Sequence, residues 1–201
     1  MRNEGYIKFE CDCDADHPPS WHEVSALNEW RQRLYDLGLI GAYLDGVGYG
    51  NVSIRCTNPS EFIITASGTG TIRNLGREHF TRVVGYDLTA NYVDCRGPAK
   101  PSSESLTHAA FYDASRSIQA VIHVHHLGFW KKCLNQLPTT SADVTYGTPE
   151  MAVEIRRLLR GKPDAEKQIC IMAGHEEGIM AYGNSIGHAA SVLLSHYRRL
   201  S

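Results

Sequence analysis

A chain of 201 residues suits one compact domain, and 42% apolar against 21% charged residues lets that domain bury a core without covalent staples. The formal net charge of −2 supplies no basic field for a polyanion, so nucleic acid is not an expected partner. No apolar run approaches the roughly 20 residues needed to cross a bilayer, so no membrane partner is expected either.

Residues 1–20 are polar and irregular and read as an N-terminal tail, with Pro18-Pro19 as a stop. The start, Met1-Arg2-Asn3-Glu4-Gly5, leads into no apolar stretch, so no signal peptide is expected. Within the tail, Cys11-Asp12-Cys13-Asp14-Ala15-Asp16-His17 is rich in potential ligands but reads as a mobile polar segment rather than a second metal site. The other cysteines, Cys56, Cys95, Cys133 and Cys170, are scattered singly. All six are expected as reduced thiols in a cytoplasmic protein.

From Ser20 the pattern turns regular. Ser20 with Glu23 three residues on is a capping box, and Leu27, Trp30, Leu34 and Leu37 follow at helical spacing, which predicts a helix over 21–37. Gly38 and Gly41 end it. Residues 51–56, 61–66, 83–88 and 91–95 are short, β-rich and separated by turn residues, so they read as strands. Residues 103–115 have helical character, 120–125 read as a strand and 128–135 as a short helix. Thr148 caps a helix that Pro149 opens and Gly161 ends. Residues 168–173 and 179–182 read as a hairpin, and 186–200 as the last helix. Strands clustered first and then alternating with helices predict an α/β/α layering around a mixed or mostly antiparallel sheet.

Ten histidines stand out more than the net charge does. On a strand, residues i and i+2 share a face, so His123 and His125 project together, about 6.6 Å apart along the strand. Two imidazoles at that spacing can chelate one ion, whereas His126 points the other way. A catalytic site with an open position needs a third ligand. The candidates are His17, His22, His79, His108, His175, His188 and His196. His108, His188 and His196 lie within predicted helices, where a packing or surface role suffices. His175 ranks first because it sits in a turn between two strands, where site residues tend to lie.

Pro101-Ser102-Ser103-Glu104 precedes a helix, where a serine is ordinarily a cap and Glu104 is stabilised by the helix dipole. Backbone N–H groups and hydroxyls at that position can also hold an anion. Gly48-Tyr49-Gly50-Asn51-Val52-Ser53 leads into a strand and Ser67-Gly68-Thr69-Gly70-Thr71 follows one. Neither is a dinucleotide fingerprint or a P-loop. Each is a turn, or a set of donors around a substrate oxyanion.

Taken in order, these segments resemble the class II aldolase/adducin family from about Trp21 to Tyr197. Gly50-Asn51-Val52-Ser53-Ile54-Arg55 resembles its Gly-Asn-x-Ser-x-Arg strand, and Ile64-Thr65-Ala66-Ser67-Gly68 its Ile-Thr-Pro-Ser/Thr-Gly. Pro101-Ser102-Ser103-Glu104 resembles its Pro-Ser-Ser-Glu and His123-Val124-His125 its His-x-His, while His175 falls where the family has Asn-His-Gly. The resemblance implies one domain over 21–201, a three-layer α/β/α sandwich with a central, mainly antiparallel sheet. It implies a zinc-type ion on His123, His125 and His175; the donor set also suits manganese, iron or cobalt. It assigns Glu104 as acid/base, able to ligate the ion when no substrate is bound. It places the substrate, a phosphorylated sugar, on Gly50, Asn51, Ser67, Gly68, Ser102 and Ser103, and it implies a homotetramer with sites at subunit interfaces.

Two departures stand out. Aligning on Gly147-Thr148-Pro149-Glu150 puts Asp143 where aldolase members carry a tyrosine lent by a neighbouring subunit, with Tyr146 three residues on. Gly174-His175-Glu176-Glu177-Gly178 replaces the family's tighter Asn-His-Gly, and its two extra acids read as solvated turn residues. The first functional expectation is a metal-dependent lyase that cleaves a sugar phosphate by retro-aldol chemistry through an enediolate. The second is dehydration, epimerisation or decarboxylation of a similar substrate. The third is a non-catalytic, adducin-like interaction module, against which the three histidines and Glu104 weigh.

Overall fold

Along Phe62-Ile63-Ile64, side chains alternate between two separate apolar clusters, which is the signature of a strand buried on both faces. The computed structural model describes residues 5–160 and 168–199. The strands are β1 (Glu10–Asp14), β2 (Gly41–Ala42), β3 (Gly48–Tyr49), β4 (Asn51–Arg55), β5 (Phe62–Thr65), β6 (Phe80–Asp87), β7 (Tyr92–Arg96), β8 (Ala120–His125), β9 (Ile169–Ile171) and β10 (Gly178–Gly183). The helices are α1 (Trp21–Asp36), α2 (Ser105–Ala114), α3 (Leu127–Cys133), α4 (Pro149–Leu159) and α5 (Ile186–Arg198). Eight strands form one sheet in the order β1-β7-β6-β5-β4-β8-β10-β9, while β2 and β3 pair separately.

One face of the sheet packs Phe62, Ile64 and Val121 with Phe111 of α2 and Ile155 of α4. The other packs Val52, Ile63, Ile122 and Val124 with Leu27 and Leu34 of α1 and Leu193 of α5. Each of these side chains is essentially removed from water, and such burial stabilises by about 2 kcal/mol per residue. The alternation along β8 sends Val121 to the α2/α4 face and Ile122 and Val124 to the α1/α5 face. His123 and His125 therefore share the α2/α4 side with Val121.

The expected elements are found with shifted ends. The first helix stops at Asp36, and the carboxylate of Glu23 accepts from the Ser20 amide at 3.0 Å. Thr148 Oγ1 caps α4 by accepting from Met151 N. The β9–β10 hairpin forms in antiparallel register. The expected ends at Gly161 and Leu200, and the start at Met1–Glu4, lie outside the described residues.

Two expectations are corrected. Residues 10–14 are not a mobile tail segment: they form β1, which pairs with β7 from Glu10↔Tyr92 to Asp14↔Arg96. That pairing is parallel while the other neighbours in the sheet are antiparallel, so the sheet is mixed, one of the two arrangements expected. The same register sets Cys13 opposite Cys95, and the two are joined by a disulfide instead of remaining thiols. No helix among the described residues is long and apolar enough to cross a membrane.

Candidate metal and substrate site

Three strands bring the site together through register alone. His123 of β8 stands opposite Asn51 of β4 on one side and Met180 of β10 on the other, and His125 stands opposite Gly178. The β9–β10 hairpin turn just beyond Gly178 carries His175, whose backbone O accepts from Gly178 N at 2.9 Å. The rings of His123, His125 and His175 lie with centroids 4.7–5.1 Å apart. Each is 5% exposed or less, as is Glu104 at the N-terminal cap of α2. Glu104 Oε1 lies 3.3 Å from His175 Nδ1 and 4.0 Å from His123 Nε2. Among the described residues, no other histidine joins this group.

The hydrogen bonds fix which nitrogens carry lone pairs. Tyr43 O–H donates to Glu177 Oε2 at 2.8 Å, which uses its only proton. Its contact with His125 Nδ1, also 2.8 Å, then requires Nδ1–H as donor, so Nε2 holds the lone pair. His123 Nδ1 faces the carbonyl of Ile179 at 3.3 Å, and a carbonyl only accepts, so its Nε2 is likewise a lone-pair nitrogen. Burial, reinforced by the neighbouring imidazoles of His125 and His175, holds the His123 pKa well below the ordinary histidine value, so the ring stays neutral. The two Nε2 atoms nevertheless face each other at 3.0 Å. Two buried acceptors in contact repel unless a cation lies between or beside them. Three imidazoles and a carboxylate are the donors that a divalent ion of the zinc class takes.

Around these residues lies a cleft with about 410 Å³ of open space, bordered by Gly50, Asn51, Ser67, Gly68, Ser102 and Ser103 together with Glu104, His123 and His175. His125 touches His123 and does not itself line the cleft. Two of the motif segments are stitched side by side: Ala66 bridges Pro101, Ser67 N donates to Lys100 O at 2.9 Å, and Ser102 N donates to Thr65 O. The serine turn is pre-set, since Ser102 Oγ accepts from Glu104 N and Ser102 O takes both Ser105 N and Ser105 Oγ. Ser102 and Ser103 thus precede the helix proper, which starts at Ser105 rather than at 103. The opposite wall is clamped by Arg31 of α1, a buried guanidinium that donates to Thr69 O at 2.8 Å and Arg73 O at 2.7 Å. Asn51 Oδ1 is buried with no hydrogen-bond partner among the described residues, which leaves a polar atom at the cleft for a ligand to satisfy.

Gly50 is required by geometry. Its φ is +77°, and a Cβ there would lie 2.7 Å from Ile40 Cγ1 and 3.1 Å from the His123 carbonyl. Gly174 is required as well, because a Cβ would fall 2.0 Å from Val144 O. That close approach presses the 144–146 segment onto the His175 turn. Tyr146 is buried and stacks on His175 at 4.5 Å, while Lys8 Nζ lies 3.7 Å from the centroid of its ring and donates to its backbone O. Asp143, which motif alignment sets at the tyrosine position, is exposed.

Sequence reasoning missed Tyr43 and misread Glu177. Tyr43 lies in a turn after a two-residue strand too short to show periodicity. Glu177 is not a merely solvated acid: it takes the Tyr43 hydroxyl at a backbone φ of +69°, a strained value for a glutamate. An acid immediately before a strand glycine was the available signal. His108 has the packing role expected of it: it is fully buried and hydrogen-bonded to Ser53 Oγ at 2.6 Å.

Residues 32–198 match the family described as Class II Aldolase and Adducin N-terminal domain. The fold is similar to that of an L-fuculose 1-phosphate aldolase, at 19% identity and a TM-score of 0.69, covering 92% of this chain and 85% of that one. It is also similar to the L-fuculose-1-phosphate aldolase of Thermus thermophilus, at 22% identity and a TM-score of 0.60, covering 89% and 87%. In sequence, 77 residues are 35% identical to the Mycoplasma pneumoniae (strain ATCC 29342 / M129 / Subtype 1) protein "Probable L-ribulose-5-phosphate 4-epimerase UlaF"; the match spans 38% of this chain and 30% of that relative.

Proposed function

The chain belongs to the class II aldolase and adducin family, and from that premise we propose that it is a metal-dependent lyase that cleaves a phosphorylated sugar or related hydroxy-carbonyl compound in the retro-aldol sense. The observation that carries this reading is the pair of lone-pair nitrogens of His123 and His125, facing each other at 3.0 Å with His175 and Glu104 alongside. A divalent ion would satisfy that arrangement.

His123, His125 and His175 would hold the ion. When bound it supplies Lewis-acid polarisation of a substrate carbonyl. Every other step falls to the chain. Glu104, buried and next to the ligand nitrogens, takes the proton from the substrate hydroxyl whose C–C bond breaks and returns a proton to the carbon left behind. Gly50, Asn51, Ser67, Gly68, Ser102 and Ser103 form the cradle for the phosphate, whose binding energy is thereby gained away from the reacting carbon. Tyr43 and Glu177 keep His125 in the tautomer that leaves Nε2 open. The three-layer architecture, a zinc-type ion, a homotetramer and a cytoplasmic setting complete the reading and are carried over from the family resemblance.

A second reading is epimerisation of a similar sugar phosphate. It is favoured by Asp143 standing where motif alignment puts the aldolase tyrosine, and by the relative that bears an epimerase name. The two are separated by incubating the metal-loaded protein with a panel of phosphorylated ketoses and following products by NMR. Aldehyde release supports the lyase, and an inverted stereocentre without fragmentation supports the epimerase. No turnover of any member by a protein that demonstrably holds one ion per chain would overturn both and leave the interaction module.

A further inference from the structure

The chain carries a second group of metal-ligating side chains, far from the first in type and in sequence. On β1, Cys11 and Cys13 are two residues apart and so share a face, while Glu10, Asp12 and Asp14 alternate with them into solvent. The parallel register sets Cys13 beside the fully buried Cys95 of β7. Cys11 Sγ lies 2.9 Å from Cys13 Sγ and 3.7 Å from Cys95 Sγ, so three sulfurs occupy one corner of the sheet.

We propose that in the reduced chain Cys11, Cys13 and Cys95 form a second metal site, for a thiophilic divalent cation of the zinc class. A disulfide needs two sulfurs and leaves the third crowded against them, whereas one cation uses all three. Bonds of about 2.3 Å at a tetrahedral ion hold thiolate sulfurs roughly 3.8 Å apart, which is the Cys11–Cys95 spacing already present. The flanking acids point away, so the ligand set is thiolate, selecting a soft ion over magnesium or calcium. Among the charged neighbours of Cys11, Lys100 offsets part of the negative charge of three thiolates, while Asp12 and Asp94 add to it. The half-buried Cys11 side leaves the fourth position to solvent.

The Cys13–Cys95 disulfide is the closed, oxidised form of the same set. Opening it takes two electrons and two protons from a dithiol reductant, which becomes a disulfide itself and leaves two thiols here. Binding of the cation then displaces the thiol protons into solvent. The ion would fasten β1 to β7, and with it the segment that sets Phe9 in the core, Lys8 over Tyr146 and Gly5 at the cleft. Its role is structural, and the ion itself takes no part in the chemistry at the histidines.

The test is a Cd²⁺ titration of the full chain, reduced with a dithiol, freed of reductant without air and followed by thiolate-to-cadmium charge-transfer absorption, which imidazole ligands do not give. The expected result is a band that saturates at one equivalent, is lost in Cys11→Ser and Cys95→Ser, is kept in Cys133→Ser and is absent from the air-oxidised chain. Native mass spectrometry with Zn²⁺ should show two ions per reduced chain and one in Cys11→Ser. No band in the reduced wild type, or a band that survives in Cys11→Ser, overturns the proposal. Cys11 lies half-buried on an edge strand, so its serine variant decides the matter even if Cys95→Ser does not fold.

Discussion

Replacing Tyr43 with phenylalanine removes one oxygen and tests the lone-pair argument on which the metal site rests. The ring keeps its place: its centroid lies 4.7 Å from that of Tyr49, and the surrounding turn is held by Tyr43 N to Val47 O and Gly46 N to Tyr43 O, both 2.9 Å. What is lost is the acceptor for His125 Nδ1–H and the donor to Glu177. A buried donor left unsatisfied costs about 1–3 kcal/mol. The ring can escape that cost by moving its proton to Nε2, which blocks the atom that faces His123. Either way the ligand is worse by roughly ten- to a hundredfold in affinity for the ion, the range seen when a histidine ligand loses its orienting partner. Glu177→Gln should cost less, because an amide oxygen still accepts from Tyr43. The assay is competition for Zn²⁺ against a chelator of known affinity at constant pH. A Tyr43→Phe protein that holds zinc within twofold of wild type would refute the tautomer argument.

Four further outcomes follow from other contacts. His125→Ala is expected to abolish retention of the ion on a desalting column, while Glu104→Gln keeps the ion and loses turnover. Burial holds the His108 pKa down to about 3 against an ordinary 6.5. Between those values the unfolded chain binds a proton that the folded chain refuses, so stability falls as pH falls, by about 2 kcal/mol from pH 7 to pH 5. His108→Gln should remove that share of the pH dependence in urea unfolding; an unchanged slope would mean that His108 titrates normally. Gly50→Ala places a methyl group against Ile40 Cγ1 at a φ of +77° and should cost roughly 2–4 kcal/mol, read as a lowered melting temperature.

What the sequence disclosed was local or periodic. The period of two put His123 and His125 on one face, and a strand-end turn marked His175, because both are consequences of strand geometry over a few residues. The glycines at 50 and 68 and the serines at 102 and 103 were visible as turns, and all four border one cleft. What stayed hidden depends on partners far along the chain. Glu10–Asp14 has charged residues at alternate positions and no strong apolar stripe, so nothing local marks it as a strand. It becomes one only because β7, some 82 residues away, offers its edge. Tyr43 is invisible for the same reason: its meaning lies in Glu177 and His125, which no spacing rule connects to it.

The N-terminal strand also changes which side chains can matter at the site. Motif alignment counts residues and so assigns Asp143 to the aldolase tyrosine position, but the packing of Gly174 against Val144 decides which side chain of that segment turns inward. The one that does is Tyr146, stacked on His175, with Lys8 over its ring. Lys8, just before the first strand, Tyr146, His175 and Glu104 are thus successive neighbours. A cation over an aromatic face gains about 0.5–2 kcal/mol, most when it is desolvated. Fixing β1 to β7 therefore bears on how firmly His175 is held. The segment that composition alone assigns to solvent lies within three contacts of the proposed proton carrier.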